Sequence, residues 1–206
     1  MRKPIKYSIW IISIILILFL SVDIKKLDKL QEDVNIQFDL KRYVDNFWDN
    51  GLPASIEKAP GITLLIDLLK DDPNKAFDDY SKVLGISQTH YFITKGEGVI
   101  RSVDEEDITV RIDNSTEVKI ATGFIFGNAV RDGSGKVNID DFLNMTDFNN
   151  VSVAINKMVK ENVVSVLKRD AAPGMKLEFA GAFEINEENL SIEDIRVIPF
   201  SASLKH

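Results

Sequence analysis

Arg131 and Asp132 stand side by side among the turn formers Gly127, Asn128, Gly133, Ser134 and Gly135. A guanidinium next to a carboxylate can close on itself as an ion pair. It can also offer a forked donor and an acceptor to a carboxylate or a sugar hydroxyl. The stretch that holds them, residues 121–149, is long for a connection inside one domain, and such connections more often face a ligand than stay idle. Asn128, Arg131, Asp132 and Asn149 are therefore the candidate ligand- or partner-binding residues. The run DGSGKVNIDDF at 132–142 also imitates the back of a calcium loop, with Asp132, Ser134, Gly135, Asn138 and Asp141 at loop positions 3, 5, 6, 9 and 12. Val130 takes the first position, where a carboxylate is required, and the residues before it read as strand. The expected structure is an Asx/Gly turn with a short strand, holding no metal.

The remaining inventory is thin. The chain has no Cys, so thiolate nucleophiles, disulfides and Cys-ligated zinc are excluded. Its two His, His90 and His206, cannot build a multi-His metal site, and His90 reads as a surface or strand-edge residue. No glycine loop cradles a phosphate and no cofactor motif is present. A net charge of -7 argues against nucleic acid, which requires massed Lys and Arg. One enzymatic alternative is a carboxylate-based hydrolase acting on glycans, with Asp132, Asp140 and Asp141 beside Arg131. It requires two carboxylates converging at roughly 5–10 Å across a pocket.

The N-terminus specifies the setting. Arg2, Lys3 and Lys6 precede YSIWIISIILILFLSV at 7–22, which carries no charge. As a helix this stretch is about 24 Å long, and Lys6 and Lys25 can snorkel to reach the headgroups. Signal-peptide cleavage after Ser21 would put Phe19 where a small residue is needed, so a retained transmembrane anchor is expected. Positive charge is nearly balanced across it. The α-amino group tips the N-terminus to the cytoplasm and leaves residues 23–206 outside, as a single-pass inner-membrane protein.

The elements follow from periodicity. Residues 1–6 form the cytoplasmic end, 7–22 the anchor and 23–37 a charged spacer. A helical part spans 38–90. In it Leu40, Tyr43, Val44, Phe47 and Trp48 share one face, Asp39 caps, Phe38 staples onto Tyr43, and Gly51 with Pro53 ends the helix. Further helices are predicted over 62–69 and 73–84. From residue 91 the pattern alternates. Three strands are predicted near 91–103, 108–112 and 118–126, with a bulge at Gly96–Gly98. A helix over 150–169 follows, capped by Asn149 or Asn150, then strands over 175–185 and 195–204 with Pro199 at an edge. Three strands, a helix and two strands is the order of an OB-like five-stranded barrel with its helix between strands three and four, so the fold class is α+β with residues 91–206 as the OB-like domain.

Several motifs carry a family resemblance: KKL at 25–27, FDLKRYVDNFWDN at 38–50, TKGEG at 94–98, TGFIFGNAVRD at 122–132, DFNN at 147–150 and VIPFS at 197–201. The chain resembles an uncharacterised bacterial family described as predicted periplasmic lipoproteins, often encoded beside sugar ABC-transporter components. The resemblance implies an extracytoplasmic, membrane-anchored protein linked to sugar uptake. It assigns no catalytic residues. Without Cys, the anchor is expected to be the peptide itself. The resulting expectation is a non-enzymatic binding or accessory domain for a protein partner or a small polar ligand such as a sugar, without a cofactor. A purely structural assembly protein that uses the Tyr43, Phe47 and Trp48 face is the other alternative.

Overall fold

The structure is a computed structural model and describes residues 38–205. The anchor expected at 7–22 and the spacer at 23–37 lie outside the described residues. Among the described residues no helix is long and apolar enough to cross a membrane.

Helix α1 (Leu40–Asn46) starts as expected. The Asp39 side chain accepts from the Arg42 amide at 3.0 Å. The predicted stop at Gly51 does not occur. Gly51 is right-handed (φ -67°, ψ -51°), and the chain passes through one π turn (Phe47–Gly51) into α2 (Leu52–Lys58). Pro53 lacks an N–H and crowds the preceding turn, and widening that turn accommodates it without breaking the rod. Gly51 still has a reason to be glycine, since a Cβ there would lie 3.1 Å from the Phe47 ring.

Helix α3 (Ile62–Asp71) buries Ile62, Leu65, Ile66 and Leu69, the i, i+3, i+4, i+7 face. In α4 (Pro73–Tyr80) Pro73 opens the helix and Asp72 caps it. This helix ends four residues before the predicted position. Ser81 turns extended, returns its hydroxyl to the Phe77 carbonyl at 2.7 Å, and begins β1 (Ser81–Lys82) against β2. The helical part and the strands share one core: α3 and α4 supply Leu65, Leu69 and Phe77 to the cluster that holds Phe92, Ile108, Val118 and Phe183.

The strands are β2 (Thr89–Val103), β3 (Asp107–Arg111), β4 (Glu117–Ala121), β5 (Lys176–Asn186) and β6 (Arg196–Lys205). The sheet runs β1-β2-β3-β4-β6-β5, and β2 also pairs with β5, so β2 to β6 close into a five-stranded barrel. Only β4 and β6 are parallel, at Lys119↔Arg196 and Ile120↔Val197. Phe92 and Phe183, direct partners across β2 and β5, stack inside at 5.0 Å. The expected bulge at Gly96–Gly98 is displaced. The register shift lies between Ile100 and Ser102, and Gly98 serves close approach instead, since a Cβ there would sit 2.4 Å from the Arg111 carbonyl oxygen. Pro199 sits opposite Gly181, past the last pair with β4.

The long connection departs most from expectation. Strand β4 stops at Ala121, because the Thr122 and Gly123 amides turn to the Glu106 carbonyl at 2.8 and 2.7 Å. Of the three residues predicted to extend it, Ile125 is buried while Phe124 and Phe126 point to water. The segment read as a turn with a short strand is the helix α5 (Ala129–Ser134), closed by Gly135 at φ 59°. Helix α6 (Met145–Val159) begins five residues before the predicted position. Asn144, not Asn149 or Asn150, is its cap, with Oδ1 accepting from the Asp147 amide at 2.9 Å. A π turn (Lys160–Val164) carries it into α7 (Ser165–Asp170), and Val163 from the turn and Leu167 from α7 join the barrel core. This is the position an OB helix takes.

Candidate ligand-binding cleft

The four residues singled out in the sequence do not form one surface. Arg131 is 1% exposed. Its Nε and Nη2 grip both oxygens of Asp132 at 2.7 and 3.1 Å, and its Nη1 donates to the Phe148 carbonyl at 3.0 Å. The guanidinium carbon lies 3.6 Å from the centre of the Phe148 ring, which adds a cation–π contact in a dry setting. The pair thus fastens α5 to the start of α6. Asn128 stands at the head of α5, where its carbonyl accepts from the Asp132 amide at 2.8 Å. Asn149 is exposed on α6. Asp140 and Asp141, in a 3-10 turn (Ile139–Asp141), are exposed while Asp132 is committed inside, so the three carboxylates are not gathered around one pocket. Among the described residues no group of three His, Cys, Asp or Glu is placed to hold a metal ion.

Two polar groupings emerge only in three dimensions. Tyr91 and Glu184 are cross-strand partners on β2 and β5, close enough to the Arg131–Asp132 pair to feel its charge. Partial desolvation against the sheet, then the nearby Asp132 carboxylate, raises the Glu184 carboxyl above its ordinary value, although the residue keeps an exposed side. Burial, then Glu184 and Asp132, raises the Tyr91 phenol. The second grouping centres on His90, which is partly buried at the start of β2. Its ring stacks on Phe77 at 3.9 Å, its Nδ1 lies 2.8 Å from Ser81 Oγ, and its Nε2 lies 3.6 Å from Glu187. Ser, His and Glu in a row resemble a nucleophile with its base. However, the Phe77 carbonyl, 2.7 Å from Ser81 Oγ, competes with His90 for the single hydroxyl proton, and the three side chains tie α4 to β2.

A cleft of about 410 Å³ opens where three helices end. Ser55, Lys58 and Pro60 come from the end of α2, Asp79 and Tyr80 from the end of α4, and Gly133–Gly135 from the end of α5. Lys82 on β1 and Lys136 complete the wall. Ser55 Oγ donates to the Gly51 and Ser134 carbonyls at 3.0 and 3.2 Å and so ties α2 to α5 beneath it. The stem of Lys82 lies along Gly135, where a Cβ would come within 3.3 Å of its Cε. Among the described residues no carboxylate pairs with Lys58, Lys82 or Lys136, although Asp79 lines the same cleft. Helix C-termini present carbonyls that lack intrahelical partners and carry partial negative charge. Several of these carbonyls are already engaged, those of Ile56, Glu57 and Pro60 by Lys95 and Thr94 and that of Ser134 by Ser55, so the polar groups the cleft offers a ligand are chiefly the three ammonium donors and the Asp79 carboxylate, a lining that suits hydroxyl groups. A larger cleft of about 590 Å³ between α7 and β6 is walled mainly by Val163, Val166, Leu167 and Leu204, and its Asp170 is held by Arg169. Of the cleft residues only Gly133, Ser134 and Gly135 stand out in the sequence, as turn formers. The lysines carried no signal, because their sequence positions are far apart.

The closed barrel, with a parallel pair between its third and fifth strands and a helix between its third and fourth, defines an OB-fold protein. It is similar to a crystal structure of an OB-fold protein from Thermotoga maritima, at 25% identity and TM-score 0.74, over 82% of this chain and 99% of that one. A family model described as predicted periplasmic lipoprotein (DUF2291) matches residues 12–203, and the chain belongs to that family. No curated protein sequence matches it significantly. The family description, a periplasmic lipoprotein, agrees with the extracytoplasmic, membrane-anchored setting, while the transmembrane form of anchor expected at 7–22 lies outside the described residues. With no Cys in the sequence, a cysteine-linked lipid has no attachment point in it.

Proposed function

We propose that this protein is a non-enzymatic extracytoplasmic binding module, held at the inner membrane by residues 7–22, that takes up a small polyhydroxylated ligand such as a sugar. The observation that carries the reading is the cleft in which unpaired Lys58, Lys82 and Lys136 meet three helix C-termini. The three ammonium groups and the Asp79 carboxylate supply donors and an acceptor over a volume suited to a ligand of one or two sugar rings. The family resemblance adds the context of sugar ABC transport, in which such a module is an accessory to the transporter. A thermal-shift screen of neutral sugars, sugar acids and sugar phosphates on the purified chain tests this. At least one class raises the melting temperature, and Lys82→Ala with Lys136→Ala removes the shift. If every class leaves the melting temperature unchanged, or if the lysine variants respond like the parent, the cleft is not the site. Added protease reaching the domain in spheroplasts tests the orientation.

A further inference from the structure

Phe124 and Phe126 are each 61% exposed, with their rings 4.6 Å apart and tilted by 38°. The loop that presents them is fixed. Ile125 between them is buried, the Phe124 amide donates to Glu106 Oε2 at 3.2 Å, and the Phe124 carbonyl accepts from Arg196 Nη1 at 3.1 Å. One residue past Phe126, the Gly127 carbonyl accepts from Asn156 Nδ2 at 2.9 Å. Two large apolar rings are thus held in water by a backbone that cannot fold them inward. Rigid exposed aromatics of this kind form the centres of protein–protein hot spots.

The surroundings specify what can cover them. The turn Asp104, Glu105, Glu106, Asp107 adjoins the loop through Glu106. Glu193 and Asp194, in the 3-10 turn (Ile192–Asp194), are tied to the same edge through Lys119 and Asp194. The cations of this edge are already engaged. Arg196 holds Asp107 at 2.5 Å and reaches Glu106 at 3.9 Å, and Lys119 holds Asp194. The two turns together carry six carboxylates against the two cations paired with them, a net of four negative charges on the edge that Glu106 joins to the aromatic loop.

We propose that this patch is a docking surface for a partner protein, occupied by a cationic segment in which Lys or Arg alternates with apolar residues. The aliphatic stems lie on the Phe124 and Phe126 rings, while the charged heads meet the ring faces and the carboxylate rim. An anionic bilayer surface has the wrong sign for this rim. A second copy of the chain, with the same rim and a net charge of -7, opposes like charges through this face. The surface is separate from the lysine-lined cleft and does not depend on it.

The test places the photo-crosslinker p-benzoylphenylalanine at position 126 of the full-length chain in its native membrane, with the exposed position 86 in the β1–β2 connection as control. The expected result is a protein adduct from 126 alone that maps to a Lys- or Arg-rich segment. A synthetic peptide of that segment then binds the purified chain at least tenfold more weakly after Phe124→Ser with Phe126→Ser, after Glu105→Lys, or at raised salt. Circular dichroism confirms that the variants keep the parent fold. Adducts only to lipid, to a second copy or to a neutral or acidic segment overturn the proposal. So does the same pattern from 126 and 86, or the absence of any adduct.

Discussion

The buried pair Arg131–Asp132 offers the most direct test of the physical reasoning. Asp132→Asn keeps the shape of the side chain and one acceptor oxygen but strands a guanidinium that is 1% exposed. Removing one partner of a buried pair costs about 3–5 kcal/mol, and the retained acceptor places this variant near the lower end. At about 2–4 °C per kcal/mol for a domain of this size, the melting temperature falls by roughly 6–12 °C. Arg131→Met costs a similar amount, because it leaves the Asp132 carboxylate buried and takes a donor from the Phe148 carbonyl. The double variant carries neither charge, so its loss is smaller than the sum of the single losses by about 2 kcal/mol or more. Urea unfolding followed by circular dichroism measures all three, and the coupling is expected to change little between low and moderate salt because the pair is dry. Single variants that each cost under about 1 kcal/mol, or effects that simply add, would refute the claim that this pair is a desolvated clasp between α5 and α6.

Three further outcomes are expected. Because Glu184 is held above its ordinary value of 4.5, the folded state keeps a proton that the unfolded state releases just above that pH, so this group lowers stability as pH rises through that window. Glu184→Gln should therefore melt higher than the parent at pH 7 and match it below the ordinary value, as a pH series of melts would show. Asn144→Ala removes the side-chain cap of α6 and costs about 1 kcal/mol by urea unfolding. Gly98→Ala forces a Cβ to within 2.4 Å of the Arg111 carbonyl, where backbone cannot yield cheaply, and should cost about 1–3 kcal/mol, with lost protection of β2–β3 amides in hydrogen exchange.

Much of the architecture was legible along the chain. Period-2 alternation located all five barrel strands, and 3.6 periodicity located α1, α3, α4 and α6, because each element buries one continuous face. The order of those elements indicated the OB-like barrel. Element ends were less legible. Gly51 with Pro53 reads as a stop, yet one widened turn carries the helix through, since packing of Phe47 and Leu52 favours continuation over fraying. Asn149 and Asn150 read as caps because they precede the stronger apolar run, whereas Phe148 and Tyr43 meet through Phe142 and draw the helix start back to Asn144.

The candidate sites lay beyond local reading. Nothing in the types of Arg131 and Asp132 distinguishes an exposed ligand fork from an interior clasp. Burial of α5 against β2, β5 and α6 made them a clasp. Phe124 and Phe126 read as strand because alternation does not record whether a neighbouring strand exists to pair with, and here the backbone turned to Glu106 instead. The sequence by itself determined composition, charge, the apolar run at 7–22 and the barrel order, all of which depend on residue type and short spacing. Only the tertiary structure decided the lysine-lined cleft, the exposed aromatic pair with its acidic rim and the setting of His90. Each of these joins residues far apart in the chain, whose proximity is created by closure of the barrel and docking of the helices on it.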